Sequence, residues 1–246
     1  MNKKTLSFAL TIIMFLLCPA KLTAQDNDNS RWYVGMQGGT RMAVSSASSF
    51  GGDKTRCGWS AGIFAGRQFN NIFGIEIETN MGKALMSPRS CCADRDNWLG
   101  LDGNHYLTAI LDTPTLHYHD IMSKVALFDF GLYLNVDLLP LLVSSPSRWN
   151  VTISPGITAL SSKATICQID NDSKFISRPA DWHVGLACRL HVDYAVNPAL
   201  SLGLYTSLSY ITGDGIDGLP RFYHTSNNIW DSGLRITYNL KKGGRR

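Results

Sequence analysis

Four histidines have the spacing and the chemistry that a transition-metal site would need. In the stretch 117–120, with the sequence HYHD, two imidazoles alternate with one other residue and would share one face of an extended segment. Imidazole nitrogens and carboxylate oxygens are usual ligands for such metals, so Asp120 could supply a further donor. Solvated histidines on a surface loop would give the same pattern, and the sequence leaves both interpretations open. The four candidates are His105, His117, His119 and His224.

A Ser–His–acid set can be composed in the same region, with Ser123 as nucleophile, His119 as base and Asp120 as the acid. A chain with several serines and histidines nearly always allows such a set, so it supports catalysis only weakly. We therefore predict no enzymatic activity, assign no catalytic residue and no metal ligand, and expect no cofactor.

The N-terminus has the pattern of a secretory signal peptide. Lys3 and Lys4 precede an apolar run from Leu6 to Leu17, which is shorter than the roughly 20 residues of a spanning helix. Cleavage is expected after Ala24, which divides the chain into a signal peptide, 1–24, and a mature domain, 25–246. Cleavage removes three lysines and no acid, so the formal net charge falls from +4 to +1. A nearly neutral chain without a basic stripe argues against nucleic acid as a partner.

Five of the six cysteines remain after this cleavage, and export through an oxidising compartment permits disulfides among them. Four lie in or beside polar stretches: Cys57, Cys91, Cys92 and Cys167. Adjacent cysteines are too close for ordinary bridge geometry. We therefore expect one of the adjacent pair to bond to Cys57 and the other to Cys167, in an order that the sequence leaves open. Free loop cysteines are the alternative.

Eight stretches in which apolar and polar residues alternate make up most of the mature chain. Period-two alternation is typical of a β-strand, and about 10 residues cross a bilayer at a tilt. The layout predicts an all-β fold, an eight-stranded antiparallel up-and-down transmembrane β-barrel, over residues 25–246. The apolar residues of the eight stretches begin at Trp32, Trp59, Phe73, Phe128, Trp149, Trp182, Leu200 and Trp230.

The links between these strands are short and long in turn. Short links at one rim and long loops at the other are typical of outer-membrane barrels. The short links are 69–72, 139–148 and 196–199, and the polar stretches are 45–56, 87–120, 161–180 and 213–228.

The volume of the side chains indicates which face is the interior. An eight-stranded barrel has an interior that side chains just fill. The apolar face, crowded with Leu, Phe, Ile and Trp, is too bulky for that space, whereas the opposite face is rich in Gly, Ser, Thr and Asn. Tryptophans near the strand ends, such as Trp32 and Trp182, match the aromatic girdles at membrane interfaces. The apolar face is therefore predicted to contact lipid.

The polar face carries eight charged or titratable side chains that are expected to pair across the interior. An unpaired charge away from water is strongly unfavourable, so pairing would make a polar plug that locks the barrel. A narrow path for an ion or solute is the functional alternative. The residues of this expected network are Glu76, Glu78, Asp129, Asp137, Arg189, His191, Asp193 and Arg235.

The signal peptide, the eight alternating strands and the four long loops resemble the OmpA/OmpX-like family of small outer-membrane β-barrels, including the porin-like barrels of Bacteroides-type bacteria. The resemblance covers the whole mature chain and rests on layout rather than on a motif. It implies an integral outer-membrane protein with a structural or surface-interaction role. Lipid A deacylases and acyltransferases are similar in strand number, so a lipid-A-modifying enzyme is the alternative, and a soluble lipocalin-like ligand carrier is a third.

We accordingly expect the protein in the bacterial outer membrane, with both termini in the periplasm and the long loops outside the cell. The expected partners are outer-membrane lipid, lipopolysaccharide and an extracellular molecule bound by the loops.

Overall fold

The computed structural model describes residues 31–51, 56–93, 96–110, 113–142, 147–213, 215–220 and 227–240, and only the backbone at 91 and 93. The predicted signal peptide, 1–24, lies outside the described residues. The strands in these ranges are β1 (Arg31–Val44), β2 (Ser48–Ser49), β3 (Gly58–Gln68), β4 (Phe73–Pro88), β5 (Trp98–Gly100), β6 (His105–Tyr106), β7 (Thr115–His117), β8 (Ile121–Asp137), β9 (Trp149–Gln168), β10 (Lys174–Ser177), β11 (Asp181–Ala195), β12 (Leu200–Ile211) and β13 (Asn227–Leu240). Two short helices, α1 (Ser90–Ala93) and α2 (Leu139–Leu142), and a 3-10 turn (Tyr118–Asp120) lie between them.

The eight long strands close into an antiparallel up-and-down barrel, which confirms the predicted fold class. Each of β1, β3, β4, β8, β9, β11, β12 and β13 pairs with the next one, and β13 pairs with β1 to complete the ring. The ladder between β8 and β9 is interrupted between the pairs Tyr133–Gly156 and Val136–Ile153. Pro155 lies in this interval, and it has no N–H to donate to β8.

Both ends of the barrel sheet and its short turns lie at one rim, since Trp32 pairs with Leu240 and Arg31 pairs with Gln68. Two of the turns are built in the same way. The Asn70 side chain accepts hydrogen bonds from the backbone of Ile72 and Phe73 at 2.8 and 2.7 Å. Asn197 does the same for residues 199 and 200 in the turn between β11 and β12. An asparagine at the head of a turn thus fixes the register of each hairpin.

The outer wall of the barrel is apolar, as the volume of the side chains predicts. Along β11, the outward side chains of Trp182 and Leu186 are 63% and 66% exposed, whereas the inward Arg189 is fully buried. Aromatic side chains bound this apolar band at both rims. Trp59, Trp182 and Trp230 lie near the long-loop rim, and Trp32, Trp149 and Tyr238 lie near the short-turn rim.

Three strands continue beyond the apolar band on the long-loop side, and their facing pattern is reversed there. In the outer parts of β4, β8 and β9 the apolar side chains point inward and lysines point outward. The stretch 161–180, expected to be a loop, is therefore in part strand, because β9 runs to Gln168 and β10 pairs back on it. The inward apolar cluster, the upper core, consists of Ala43, Ala84, Met86, Val125, Leu127, Leu160, Ala164, Ile211, Ile216 and Ile229.

The long loops cover this end of the barrel as a packed layer. Strands β5, β6 and β7 form a small antiparallel sheet within the loop between β4 and β8. A second apolar cluster joins this sheet to its neighbours: Ala47, Cys92, Leu99, Leu116, Tyr118, Ile121, Ile166 and Leu219. Ile216 and Leu219 come from the loop before β13, so the segment 215–220 enters the barrel mouth as a plug.

Within the described ranges, no helix combines the length and hydropathy needed to cross a membrane.

Candidate functional site

Glu76 is the centre of a buried charge network in the half of the barrel nearer the short turns. Its side chain has no exposed surface and contacts two guanidinium groups. Arg189 Nη1 lies 2.7 Å from Oε1, and Arg235 donates to both carboxylate oxygens, at 3.1 and 2.5 Å. The Tyr33 hydroxyl donates to Oε2 at 2.9 Å. These contacts connect β1, β4, β11 and β13 across the interior.

The network continues toward the long-loop side through Glu78 and Asn80. Arg189 Nη2 forms a second ion pair with Glu78, and Asn80 Nδ2 donates to Glu78 at 2.9 Å and to Asp129 at 2.8 Å. Arg41 then bridges Asp129, at 2.8 Å, and Asp231, at 2.6 Å. A single chain of ion pairs and hydrogen bonds therefore runs through the barrel from Arg235 to Asp231.

Aromatic rings support the guanidinium groups of this network. Arg235 lies 3.6 Å from the ring centre of Phe64, and Arg189 lies 4.1 Å from that of Tyr133. Such cation–π contacts are strongest where water is excluded. A Cβ at Gly35 would overlap the Phe64 ring, so glycine there makes room for the ring beneath Arg235.

All eight charged or titratable residues predicted for the polar face lie on the inner wall of the barrel. Five of them belong to this one network. Those five are Glu76, Glu78, Asp129, Arg189 and Arg235. His191 and Asp193 form a separate contact at 3.4 Å. Asp137 lies apart near the short-turn rim, where Gln68, Asn150 and Thr152 donate to it.

Two members of the network, Arg41 and Asp231, were missed in the sequence analysis. Continuing the alternation from Tyr33 and Gln37 puts Arg41 on the same inward face, so strand parity was the available signal. Asp231 follows Trp230, the first apolar residue of its stretch, so the same signal places it on the inward face.

The filled interior leaves little open space. A small cavity beside the network, with room for about one water molecule, is lined by Glu78, Asp129, Tyr205 and Asp231 among others. Above it, the upper core and the plug 215–220 occupy the barrel mouth. Chemically, the paired charges join five of the eight strands, β1, β4, β8, β11 and β13, across the interior.

Asp217 anchors the plug. Ser48 Oγ donates to its carboxylate at 2.5 Å, and Ser123 Oγ donates to its backbone carbonyl at 2.5 Å. Burial raises the pKa of the Asp217 carboxyl, since no ion pair to a described basic residue offsets the loss of water. The plug is thereby tied to the first loop and to β8.

The histidine stretch lies in the outer loops and does not gather a ligand set. The rings of His117 and His119 stack with centres 6.1 Å apart, and His117 packs edge-on against Trp98. His105 Nε2 is 2.8 Å from Asn97 Oδ1, and burial lowers the pKa of its imidazole. Among the described residues no group of three His, Cys, Asp or Glu side chains could hold a metal ion. His224 lies outside the described residues.

The Ser–His–acid set composed from the sequence is not assembled. Ser123 is buried in the barrel mouth with its hydroxyl donating to Asp217, whereas His119 is exposed on the loop surface. A G-x-S-x-G pattern, overlooked in the sequence analysis, spans residues 58–62. In hydrolases this pattern makes a sharp turn between a strand and a helix. Here it lies within β3, and Ser60 points inward with its Oγ 3.5 Å from the Tyr205 hydroxyl.

The predicted disulfides are not formed. Both expected bridges need Cys57 or Cys167, and each of these carries a free thiol. Cys57 is exposed just before β3, Cys167 is buried on the outer side of β9, and Cys92 packs in the loop cluster. The side chain of Cys91 lies outside the described residues. The prediction was wrong because proximity to a loop in sequence does not fix where a side chain points: Cys167 faces outward on β9, whereas Cys92 packs among the loops. Cys188 is free and exposed on the apolar wall.

The fold and its interior define a class: a closed eight-stranded antiparallel barrel with an apolar outer wall and a salt-bridged interior. No protein-family model matches the chain, and no curated protein matches it. Solved structures similar to it include three bacterial surface or outer-membrane proteins. Neisserial surface protein A has 15% identity and a TM-score of 0.48 over 87% of this chain and all of that one. OprG from Pseudomonas aeruginosa has 13% identity and a TM-score of 0.45, over 86% of this chain and 97% of its own. Ail, the attachment invasion locus protein of Yersinia pestis, has 12% identity and a TM-score of 0.42, over the same shares of the two chains. At such identities and scores no activity is carried over from them.

Proposed function

We propose that this protein is an integral outer-membrane β-barrel of the OmpA/OmpX-like type, exported by its signal peptide, with a structural or surface-interaction role and no enzymatic step. Both termini would lie in the periplasm, and the long loops would face outward. Its partners would be outer-membrane lipid, lipopolysaccharide and an extracellular molecule that contacts the loops.

The observation that carries this proposal is the reversal of the usual inside–outside rule. A soluble barrel buries its apolar side chains and exposes its charges, whereas here Glu76 and Arg189 are fully buried and Leu186 is 66% exposed. This arrangement is stable only where the outer wall meets an apolar solvent. The tryptophans at both rims mark the two boundaries of that solvent.

The outer loops supply the surface for an interaction role. They form a packed layer over the barrel rather than an open mouth, with β5, β6 and β7 as its ordered part. The side chains of Leu101 and Leu107 are 50% and 71% exposed on this layer. A fixed surface with exposed apolar side chains suits recognition of another molecule better than passage of a solute.

Cell fractionation combined with epitope insertion tests the proposal. The full chain should be found in the outer-membrane fraction and should migrate differently in gels before and after boiling. A tag inserted between Thr108 and Ala109, both exposed in a long loop, should react with antibody on intact cells. A tag at Asn71, in a short turn, should react only after the cells are permeabilised. Recovery in the soluble fraction, or labelling of the Asn71 tag on intact cells, would overturn the proposal.

A further inference from the structure

A group of four basic side chains lies on the outer wall of the barrel, immediately beyond the apolar band on the long-loop side. Lys83, Lys124 and Lys163 come from the three strands that continue past the band, β4, β8 and β9. Their inward neighbours, such as Ala84, are buried, so strand alternation directs the lysines outward. Arg56, just before β3, joins them, because its Nη1 lies 3.1 Å from the sulfur of Met122, outward on β8. We call these four residues the basic wall.

The strand register brings these charges together. Lys83 and Lys163 are both opposite Ala126, so they lie at the same level on strands that flank β8. With neighbouring strands about 4.8 Å apart, the two Cα atoms are separated by about 10 Å. Lys124 lies two residues further out on β8, between them. Three ammonium groups therefore share a small area.

The level of the basic wall coincides with the boundary of the apolar band. Trp59, a girdle residue, is directly opposite Lys83, and the next row inward contains Met81 and Phe128, which are 58% and 43% exposed. Tryptophan at this depth indicates the headgroup region of a bilayer. The lysine stems can lie along the last apolar row while the ammonium groups reach the headgroups.

The positive charge of the basic wall is only partly balanced within the described protein. Among the described residues, Asp172 forms an ion pair with Lys124 at 2.5 Å. Arg56 Nε and Nη2 are shielded from solvent and make no hydrogen bond to a described residue. The charge is also one-sided. At the outer ends of β12, β13 and β1, the outward described residues are Tyr210, Asn228 and Val44, none of them basic.

We propose that the basic wall binds the phosphate groups of a phosphorylated glycolipid headgroup in the outer leaflet. Its position admits a headgroup whose acyl chains lie along the apolar band below, and phosphate oxygens would accept hydrogen bonds from Lys83 and Lys163, while the Arg56 guanidinium adds positive charge beside them. Clustered cations at a membrane surface bind anionic headgroups through just this attraction. The inference rests on the proposed membrane location, which sets the depth of the wall.

Native mass spectrometry of the full chain released from uncharged detergent micelles tests this site. The probes are diphosphorylated lipid A, the same lipid with both phosphates removed, and inorganic phosphate. We expect diphosphorylated lipid A to be retained, and the K83Q/K163Q variant to bind it about thirtyfold more weakly, since each cation near such a surface contributes on the order of a factor of five. Higher salt should weaken retention as well.

Arg67→Gln is the matched control, because Arg67 points outward on β3 at the opposite rim, where its guanidinium lies over Trp32 and Phe69. Binding in this variant should equal that of the wild type. Equal binding in K83Q/K163Q and wild type, or an equal loss in R67Q, would overturn the assignment. Retention of the dephosphorylated lipid, or of inorganic phosphate as strongly as lipid A, would overturn it too.

Gel mobility before boiling shows whether each variant is folded, and K163Q alone, expected to lose about fivefold, replaces the double variant if that one does not fold. The epitope labelling described above separates the two proposals. A correctly labelled barrel that does not retain lipid A would contradict this inference alone.

Discussion

The Glu76 carboxylate lies fully buried between Arg189 and Arg235, with Tyr33 and Asn135 also donating to it. Two cations share one anion here, and Arg189 also pairs with Glu78, so removing Arg189 leaves Glu78 without an ion-pair partner among the described residues. Removing one partner of a buried ion pair is far more destabilising than the pair is stabilising. The network is therefore better understood as a constraint on the interior than as a net source of stability.

Arg189→Met should lower the free energy of unfolding by about 3–5 kcal/mol, because Glu76 loses one of two cations and Glu78 loses its only one among the described residues. Urea unfolding of the refolded protein in lipid, followed by tryptophan fluorescence, measures this change. Arg67→Gln, an exposed arginine on the outer wall, should shift the free energy by no more than about 0.5 kcal/mol. A similar small shift for Arg189→Met would show that the buried charges are not coupled as the distances indicate.

Asp217 gives a pH dependence whose sign follows from its burial. A pKa raised in the folded state means that the fold binds this proton more tightly than the unfolded chain does. The resulting stabilisation is present below the unfolded pKa, about 4, and is lost as pH rises through the raised folded pKa. Asn at position 217 does not titrate, so the Asp217→Asn variant does not lose this stabilisation as pH rises. The free energy of unfolding of the variant, relative to the wild type, should therefore increase from acid to neutral pH. Unfolding midpoints measured over this range test the trend.

Asp102→Asn is a control with the opposite sign. Hydrogen bonds from the Tyr106 hydroxyl and the Asn104 backbone hold the pKa of Asp102 below its usual range. Its contribution is present above the unfolded pKa and lost as pH falls, so this variant should lose stability relative to the wild type as pH rises. If the relative stabilities of both variants change in the same direction with pH, burial does not determine the pKa of the Asp217 carboxyl.

At the scale of the strands, the alternation of apolar and polar residues predicts the strands correctly within the apolar band. It does not predict the parts of the strands that continue beyond that band. Between Trp182 and Tyr194 the apolar residues face outward, and the alternation is read correctly. Beyond the band, polar side chains face outward and apolar ones inward, so Lys163 points out and Ala164 points in. For this reason the sequence predicts a loop from residue 161, where the structure has a strand. Period-two alternation reveals a strand but not the point at which its surroundings change.

The charged interior was foreseen only in part for a similar reason. Parity places Glu76 and Arg189 on the inner face, but it does not say which charges lie at the same height in the barrel. That depends on strand register, which sets Asp137 apart from the others. The plug was out of reach for local pattern reasoning, because the burial of Ile216 depends on how the loop before β13 folds back.

Leu186→Arg tests the facing of β11 directly. This leucine is 66% exposed on the outer wall, in the middle of the apolar band, so an arginine there should lower the free energy of unfolding in lipid by about 2–4 kcal/mol. Leu107 is 71% exposed in an outer loop, and Leu107→Arg should change it by no more than about 0.5 kcal/mol. Equal effects of the two substitutions would mean that the apolar wall does not contact lipid.

At the scale of the whole molecule, three layers close the barrel from one rim to the other. The charge network runs from Glu76, nearer the short turns, to Arg41 and Asp231 beside the long-loop girdle, the upper core lies further out, and the loop layer covers the mouth. Because the plug 215–220 belongs to the upper two layers, movement of that segment alone would still leave the charge network across the interior.

Planar-bilayer recording tests this closure. The refolded wild type should give no steady ion conductance, because the charge network and the upper core fill the described interior and the cavity beside the network has room for about one water molecule. Deleting 215–220 should leave conductance absent, since Arg41, Arg189 and Arg235 still span the interior with their acids. A 16-stranded porin reconstituted in the same membranes serves as the open-channel control. Steady channels from the wild type would show that the charge network rearranges in the membrane, whereas channels from the deletion variant alone would make the plug the only barrier.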